Sequence, residues 1–397
     1  MADRFRFIIV GRGMMGAAAA RHLAQMTDGV ALIGPDEPVD KASHQGVFAS
    51  HYDEARITRT IDRDADWALL ANRSIARYGE IAEQSGIDFY HETGCLIVGP
   101  QRGGANAYVG EVVGAAGRLG VSTDLLDDSG LSDGFPYFAF EPRSEGVFEA
   151  KRAGYVNPRK LVAAQALLAK RAGAAIIAET VVSVVPDGSG ATVTTAEGRS
   201  YRADKVLVAA GGFSIAQNLL PRPVDLKVYA RTVAFFEIAD ADLPRYAGMP
   251  SLIVESHEPH DHIYLLPPVR YPDGRTYLKI GGDPDDLPLS TEPEIRAWFR
   301  RGGRDSTRDH LKRIIDRLVP GLSQAPVTMS ACVTSFTPTG YPAIGPAGSD
   351  NVVVLTGGCG AAAKSSDEIG RLGAEMLLTG RINDDGYSTD FRPHFLS

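Results

Sequence analysis

The 397-residue sequence predicts an α/β fold with a discontinuous Rossmann-like dinucleotide-binding domain and a second domain built on a largely antiparallel β-sheet with helices. Two strand–turn–helix units, one at each end of the chain, predict the first domain because each carries a glycine-rich turn. The second domain is predicted from about 220–330, where strands and turns alternate. The length also favours two domains, since it exceeds what one hydrophobic core usually supports.

The N-terminal unit has the order of elements that a dinucleotide-binding site requires. An apolar strand, a G-x-G-x-x-G turn, an Ala-rich helix and a second apolar strand occupy residues 5–10, 11–16, 17–25 and 30–33. We expect Gly11 to make the tight turn, Gly13 to let the backbone approach a pyrophosphate, and Gly16 to let helix and strand pack closely. The N–H groups at the helix start, those of Met14 and Met15 among them, would then bind the phosphates.

One part of the usual dinucleotide site is missing from the sequence. An acidic residue normally ends the second strand and binds the ribose hydroxyls. Here that position is Gly34, with Asp36 and Glu37 just beyond it. Either acid, or backbone groups, could make the ribose contact from the loop, and the motif alone does not choose between NAD and FAD.

Further elements follow in order along the chain. We predict a helix over 66–85, a hairpin over 89–98, a helix over 160–171, strands over 175–185 and 191–195, an apolar strand over 204–210, and one charged helix over 292–318. The C-terminal unit is an apolar strand from Val352 to Leu355, a turn with Gly357, Gly358 and Gly360, and a helix up to Gly380. A glycine-rich turn before a helix is suited to hold an anionic group.

The composition argues against several classes of function. Hydrophobic residues make up 44% and charged residues 23% of the chain, which is ordinary for a globular protein, and a net charge of −8 without a basic cluster argues against nucleic acid as a partner. No apolar run approaches the ~20 residues of a membrane span, and no signal peptide is visible. The cysteines, Cys95, Cys332 and Cys359, have neither disulfide nor metal-binding spacing. We expect a cytoplasmic protein that acts on a small molecule without a metal.

Four segments, in order along nearly the whole chain, carry a family resemblance. They are the glycine turn at 11–16, the S-H-x-x-x-x-R-I-x-R stretch at 50–59, the strand at 277–281, and the pattern from Cys332 through Thr337-Pro338 to Pro346 with the turn at 357–364. Together they resemble the FAD-dependent D-amino-acid oxidase superfamily, and within it monomeric sarcosine oxidase and N-methyltryptophan oxidase. The resemblance implies that FAD is the cofactor, and it does not specify the substrate.

The resemblance implies four residues at the reaction centre. Lys279 matches the lysine that lies over the flavin and promotes its reaction with oxygen, because a fixed positive charge stabilises the superoxide that forms. Arg59 and Lys364 match a basic pair that binds the substrate carboxylate. Tyr264 matches a tyrosine that borders the substrate, although a short insertion at 270–275 separates it from Lys279. The alternatives are an exposed lysine for Lys279 and surface ion pairs for Arg59 and Lys364.

The resemblance also implies how the cofactor is held. Cys332 matches the cysteine that carries the flavin through a thioether to its 8-methyl group, although a small buried thiol would fit the same pattern. Arg56 matches an arginine near the flavin. The residues expected to contact the cofactor are Gly11, Gly13, Met14, Met15, Gly16, Asp36, Ser50, Arg56, Val182, Gly211, Cys332, Gly357, Gly358, Gly360 and Lys364.

Three positions depart from the family pattern. Asp283 stands where the family has a histidine four residues after the lysine, and Thr334 replaces a tyrosine two residues after the cysteine. Ala361 replaces a histidine in the C-terminal glycine turn. The expected pocket therefore lacks several bulky groups, which argues against sarcosine itself and favours a larger or differently shaped amine.

The resemblance predicts an FAD-dependent oxidase of a secondary or N-methyl amine, in particular an N-substituted amino acid, with O2 as electron acceptor and H2O2 as product. The alternatives are an FAD-dependent dehydrogenase that passes electrons to a quinone or carrier, a flavin-binding protein without activity, and an NAD-dependent dehydrogenase. We expect the FAD-binding domain to span 1–84, 150–218 and 325–397, and the substrate domain 85–149 and 219–324. The oligomeric state stays open, with a monomer as one possibility.

Overall fold

The computed structural model describes residues 3–397, which form two large β-sheets, one small sheet and the helices that cover them. The helices are α1 Met14–Met26, α2 Ala65–Ser85, α3 Tyr108–Leu119, α4 Asp128–Gly134, α5 Pro158–Arg171, α6 Glu292–Arg301, α7 Asp305–Leu318 and α8 Ala362–Thr379, with 3-10 turns at Gly211–Ile215, Asp240–Tyr246 and Pro320–Leu322.

The strands follow the same chain order. They are β1 Asp3–Val10, β2 Val30–Ile33, β3 Arg56–Thr58, β4 Tyr90–His91, β5 Cys95–Pro100, β6 Asp124–Leu126, β7 Ser144–Glu149, β8 Gly154–Val156, β9 Ala175–Ile177, β10 Val181–Pro186, β11 Ala191–Thr195, β12 Ser200–Val208, β13 Lys227–Ile238, β14 Ser251–Val254, β15 Ile263–Arg270, β16 Thr276–Gly281, β17 Leu287–Leu289, β18 Val327–Phe336, β19 Ala343–Ser349 and β20 Val352–Thr356.

The first sheet has eight strands and contains both glycine-rich units. Its order is β10-β11-β12-β1-β2-β9, with β20 paired to β12 and β19 to β20. The central strands β9, β2, β1, β12 and β20 are parallel, and β1 sends Ile8 and Ile9 into different hydrophobic clusters on the two faces. A parallel sheet buried on both faces is the Rossmann-like arrangement that the sequence predicts, and this prediction is confirmed.

The second sheet has nine strands in the order β17-β13-β16-β15-β14-β5-β7-β6, with β18 also paired to β13. All its strand pairs are antiparallel except β14 with β5. Leu278 and Ile280 of β16 lie in one core with Leu311 and Ile315 of α7. Because strand side chains alternate between faces, Lys279 points away from this core, towards the chain around residue 53.

Three local predictions are wrong. The strand predicted over 175–185 is two strands, because β9 pairs with β2 at one end of the strand order and β10 pairs with β11 at the other. The segment 89–98 is not a hairpin: β4 pairs with β8, whereas β5 pairs with β7 and β14. The charged segment 292–318 is two helices, α6 and α7, because Gly302 ends α6 with a φ of +78° and Gly303 follows with a φ of +125°. The helix predicted over 66–85 is confirmed as α2, whose first turn is capped by Asp64.

The predicted domain boundaries remain a prediction. The eight-stranded sheet lies within segments 1–84, 150–218 and 325–397, but β18 belongs to the nine-stranded sheet although it follows residue 325. Val333 of β18, next to Cys332, lies in one hydrophobic cluster with Val206 and Val208 of β12, so β18 also packs against the eight-stranded sheet. Within residues 3–397, none of the helices combines the length and the apolar character needed to cross a membrane.

Candidate active site

The glycine turn between β1 and α1 is shaped by close backbone contacts. Gly11 has a φ of +106°, and a Cβ there would lie 2.4 Å from the carbonyl oxygen of Ala209. A Cβ on Gly16 would lie 1.9 Å from the carbonyl oxygen of Gly11. Gly13 precedes α1, which has neither a side-chain cap nor an acid in its first turn. The N–H groups of that turn are therefore available to an anion.

The structure separates the two acids that follow β2. Glu37 is held by the Arg159 guanidinium at 2.6 and 2.7 Å, whereas Asp36 is exposed and pairs with Arg12 of the glycine turn. A side chain at Gly34 would collide with Arg12, whose backbone nitrogen would lie 2.6 Å from the added Cβ. Asp36 is thus the acid that lies beside the turn, and its contact with the ribose remains a prediction.

The segment from Ser50 to Arg56 lies against β18. The Arg56 guanidinium donates to the Ser50 carbonyl at 2.9 Å and lies 3.7 Å from the Cys332 sulfur. Ser50 Oγ donates to the Val333 carbonyl at 3.2 Å, and Trp298 Nε1 donates to the Cys332 carbonyl at 2.9 Å. The structure therefore brings together three residues of the expected cofactor set, Ser50, Arg56 and Cys332, which are far apart in sequence.

Lys279 is not the exposed lysine of the alternative interpretation. Its side chain is 1% exposed, and its ammonium donates to Asp53 at 2.7 Å and to the Ala55 carbonyl. Arg56 also pairs with Asp53. Burial and the positive charge of Arg56 lower the pKa of Lys279 well below its usual value.

Arg59 and Lys364 converge on one atom, the Oδ2 oxygen of Asp62. Lys364 Nζ lies 3.0 Å from that oxygen and an Arg59 nitrogen lies 3.3 Å from it, while the Lys364 side chain is 3% exposed. Burial and the charge of Arg59 lower the pKa of Lys364 to about 8. Burial alone would raise the pKa of Asp62, but the charges of Lys364 and Arg59 hold it below its usual range. The predicted basic pair is therefore present, and it binds a carboxylate of the chain itself.

Tyr264 of β15 lies beside Lys279, whose Nζ is 5.9 Å from the centre of the tyrosine ring. The ring covers the backbone of Gly281, where an added Cβ would lie 2.4 Å from Tyr264 atoms. Burial raises the pKa of Tyr264 to about 12, so the hydroxyl is neutral near neutral pH. Asp283 accepts from the Thr232 backbone at 3.2 Å, and burial raises its pKa to about 6.

The C-terminal glycine turn leads directly into α8. Gly357 and Gly360 have φ angles of +80° and +74°, and Cys359 donates its backbone N–H to the Ser335 carbonyl of β18 at 2.8 Å. Helix α8 has no side-chain cap and no acid in its first turn, which contains Lys364. The turn is therefore hydrogen-bonded to β18, and the N-terminus of α8 beside Gly358 is a second helix start whose N–H groups can bind an anion.

Of the other expected cofactor residues, Val182 lies apart from this cluster, whereas Gly211 is bonded to Thr356, directly before the C-terminal glycine turn. Val182 is exposed on β10, at a register shift, and β11 and β12 separate that strand from β1. Gly211 begins the 3-10 turn after β12, and its carbonyl accepts from Thr356 Oγ1 at 2.9 Å. Their roles as cofactor contacts remain predictions.

Three residues that the sequence did not single out belong to the cluster. Asp53 and Asp62 are the counter-ions of the two lysines, and the Tyr271 hydroxyl donates to Asp53 at 2.8 Å. Tyr271 comes from the short insertion at 270–275, which forms the turn between β15 and β16. The spacing of Asp53 and Asp62, three residues from Arg56 and Arg59, is the one local signal that could have indicated them.

A family model described as FAD dependent oxidoreductase matches residues 6–376. The chain belongs to this family. The monomeric sarcosine oxidase of Bacillus sp. (strain B-0618) is 26% identical over 392 residues, which cover 97% of this chain and 95% of that protein. The N-methyl-L-tryptophan oxidase of Salmonella typhi is 24% identical over 380 residues, covering 94% and 95%. The solved structure of NikD, an unusual amino acid oxidase essential for nikkomycin biosynthesis, matches with a TM-score of 0.78 at 20% identity, covering 100% of this chain and 98% of that one.

These findings confirm the predicted family, the predicted fold and FAD as the cofactor, so the protein is an FAD-dependent oxidoreductase similar to sarcosine oxidase. The residues present fit that cofactor. Within residues 3–397, helices α1 and α8 begin without side-chain caps, and His51 Nδ1 and Thr334 Oγ1 are buried without a hydrogen-bond partner. Thr334 shares a face of β18 with Cys332, and His51 Nδ1 lies 4.0 Å from where a Cβ on Gly13 would be. Buried polar atoms without partners indicate contacts to a bound group.

Proposed function

We propose that the protein is an oxidase of a secondary or N-methyl amine, in particular of an N-substituted amino acid. The two glycine turns and the cluster of Ser50, Arg56 and Cys332 would hold FAD, which would supply the redox chemistry: uptake of a hydride from the carbon next to the amine nitrogen and transfer of two electrons, with two protons, to O2 to give H2O2. The imine product then reacts with water to give a carbonyl compound and a smaller amine. The family and the names of the relatives support this reaction class.

The observation that carries the proposal is the pair of cations at Asp62. Arg59 and Lys364 already hold one carboxylate oxygen between them, at 3.3 and 3.0 Å, in a largely buried place. The carboxylate of an amino acid would make the same charge-assisted hydrogen bonds. Each cation has further N–H groups, so a substrate carboxylate can contact both cations when Asp62 moves off Lys364.

The remaining residues orient the substrate and set the charge of the site. Tyr264 presents a neutral hydroxyl beside Lys279, and Lys279 places a buried ammonium next to Arg56 and Cys332. The replacements Asp283, Thr334 and Ala361 leave more room than bulky side chains would, which favours an amine larger than sarcosine. An amine that binds in its neutral form already has a free lone pair on nitrogen, so no protein base is needed to deprotonate it before oxidation.

The experiment is a peroxide assay across paired ligands, each an N-methyl or cyclic amino acid with its amide. The flavin absorbance is recorded without oxygen before and after each addition. Bleaching of the flavin by the acid forms, followed by peroxide formation in air, is the expected result. If the amides bleach the flavin and the acids do not, the amino-acid assignment is wrong, and a simple amine becomes the better candidate.

A second candidate, an FAD-dependent dehydrogenase that uses a quinone or carrier, is favoured by one observation. Burial and the charge of Arg56 lower the pKa of Lys279 well below its usual value, and a lysine that has lost its proton has no positive charge to stabilise superoxide. Flavin that is bleached by substrate but reoxidises only with a quinone, and not with air, would favour this candidate over the oxidase.

Covalent attachment of the flavin at Cys332 is part of the proposal. The thiol is partly exposed, lies 3.7 Å from Arg56 and is on the same face of β18 as the unpartnered hydroxyl of Thr334. Acid precipitation should leave the yellow colour in the pellet, and Cys332→Ala should release it to the supernatant. Wild-type protein that loses its colour to the supernatant would contradict covalent attachment.

A further inference from the structure

The ammonium of Lys279 is buried, and the carboxylate of Asp53 lies against it. Lys279 Nζ is 2.7 Å from Asp53 Oδ2, donates to the Ala55 carbonyl and lies 5.9 Å from the centre of the Tyr264 ring. A lysine that is 1% exposed loses most of the hydration that stabilises its charge. Without a counter-ion, such a lysine would give up its proton rather than remain a buried cation.

The Asp53 carboxylate is fixed from both sides. Its Oδ2 contacts Lys279 and Arg56, and its Oδ1 accepts from the Glu54 backbone N–H and the Tyr271 hydroxyl, both at 2.8 Å. Four donors hold a carboxylate whose side chain is 6% exposed. Asp53 therefore cannot turn away from Lys279 without leaving donors unpaired.

Resting on the proposed function, we infer that Asp53 is a positioning residue that keeps the proton on Lys279 and thereby supplies the positive charge that Lys279 presents to FAD. Tyr271 assists by anchoring the far oxygen of Asp53. The insertion at 270–275 is thus part of the charge control of the site, because it brings the Tyr271 hydroxyl from the turn between β15 and β16 to Asp53.

Sulfite titration of the FAD-bound protein tests this role without substrate or oxygen. Sulfite adds to oxidised flavin and leaves a negative charge, which a nearby cation stabilises. In Asp53→Asn the counter-ion is lost and Lys279 becomes neutral, so the dissociation constant for sulfite at neutral pH should rise at least about tenfold. The rise should be smaller than in Lys279→Met, because Asp53→Asn also removes the negative charge of Asp53 and leaves Arg56 without its counter-ion. An unchanged or tighter sulfite affinity in Asp53→Asn would overturn the inference, because Lys279 would then keep its charge without Asp53.

A double-variant cycle shows whether Asp53 acts through Lys279. In the Lys279→Met background, Asp53→Asn should change the sulfite dissociation constant by less than about twofold, since the cycle isolates the coupling between the two residues. An equal tenfold effect in both backgrounds would mean that Asp53 acts on the flavin site by another route, and the inference would fail.

Tyr271→Phe gives a second test if Asp53→Asn does not bind FAD. Because it removes one of the donors that hold Asp53, it should weaken sulfite binding by about two- to fivefold. Tyr277→Phe is the matched control. The Tyr277 ring packs edge-on against the Tyr271 ring, but the Tyr277 hydroxyl donates to Asp273 at 2.7 Å and not to Asp53, so its removal should leave sulfite binding unchanged. Equal sulfite affinities for both tyrosine variants and the wild type would contradict the inference. Sulfite binding does not depend on which amine is oxidised, so failure of the proposed substrate would be seen separately, in the flavin-bleaching assay.

Discussion

Two buried lysines in this protein are each paired with an aspartate, but the two pairs are built differently. Lys279 of β16 pairs with Asp53, and four donors contact the two carboxylate oxygens of that aspartate. The Lys364–Asp62 pair lies at the start of α8, where one oxygen of the aspartate takes both cations at 3.0 and 3.3 Å.

The comparison indicates different uses for the two lysines. Asp53 is 6% exposed and contacts four donors, so we expect it to stay against Lys279 and to keep the ammonium charged. Asp62 is 16% exposed, and besides the two cations it accepts from the Asp64 backbone N–H at 3.3 Å. The carboxylate of a ligand can therefore replace Asp62 on Lys364 at a small cost in free energy. We expect Lys279 to provide a fixed charge at the flavin and Lys364 to provide an exchangeable contact for the substrate.

The largest effect should come from Lys279. Lys279→Met removes the fixed charge, so the reaction of reduced protein with oxygen should slow by at least ~100-fold, the scale for losing one preorganised electrostatic group. Stopped-flow mixing of reduced protein with oxygenated buffer measures this rate. Anaerobic reduction by substrate is the control and should change much less; equal slowing of both reactions would contradict a role confined to oxygen.

Loss of the exchangeable lysine should weaken carboxylate binding. Lys364→Ala should cost roughly 1.5–3 kcal/mol in the binding of an acid ligand, the range for a hydrogen bond to a charged group. Titration of the flavin spectrum with ligand measures this change. The amide of the same ligand should bind wild type and variant alike, whereas equal weakening of acid and amide would indicate general damage to the site.

The affinity for a carboxylate should also depend on pH through Lys364. Its pKa of about 8 means that the ammonium is present below that pH and lost above it. The dissociation constant of an acid ligand should therefore be flat below pH about 8 and rise up to about tenfold per pH unit above it. Lys364→Arg keeps its charge and should remove the rise. A wild-type profile without a rise above pH 8 would contradict the assignment.

The smallest effect should come from Asp62. Asp62→Asn removes the internal carboxylate that competes for Lys364, so an acid ligand should bind more tightly by roughly 0.5–1 kcal/mol, the scale of a partly exposed ion pair. The measurement belongs at slightly acidic pH, where Lys364 keeps its proton without Asp62. Weaker binding would show that Asp62 holds the two cations in position rather than competing with the ligand.

The sequence predicts the parts of the site that depend on local patterns. The turn from Gly11 to Gly16 and its flanking elements are specified by neighbouring residues, and the structure confirms the unit. The hairpin predicted over 89–98 is wrong because hydrogen bonds to β7, β8 and β14, which lie far along the chain, decide where these strands go.

The ion pairs depend on contacts that no local pattern contains. Asp53 and Lys279 are 226 residues apart, and Asp62 and Lys364 are 302 apart. The family resemblance identifies the cations Arg59, Lys279 and Lys364. It does not identify Asp53 or Asp62, because the family pattern does not specify these two positions. Tyr271 is missed for a related reason, since it lies in an insertion and its contact with Asp53 spans 218 residues.

The most direct test of the comparison is a crystal structure of the FAD-bound protein with a carboxylate that cannot be oxidised, such as methoxyacetate. We predict that the ligand carboxylate contacts Arg59 and Lys364, that Asp62 has moved off Lys364, and that Asp53 still bridges Lys279, Arg56 and Tyr271. A structure in which Asp62 keeps both cations and the ligand carboxylate lies elsewhere would contradict the account.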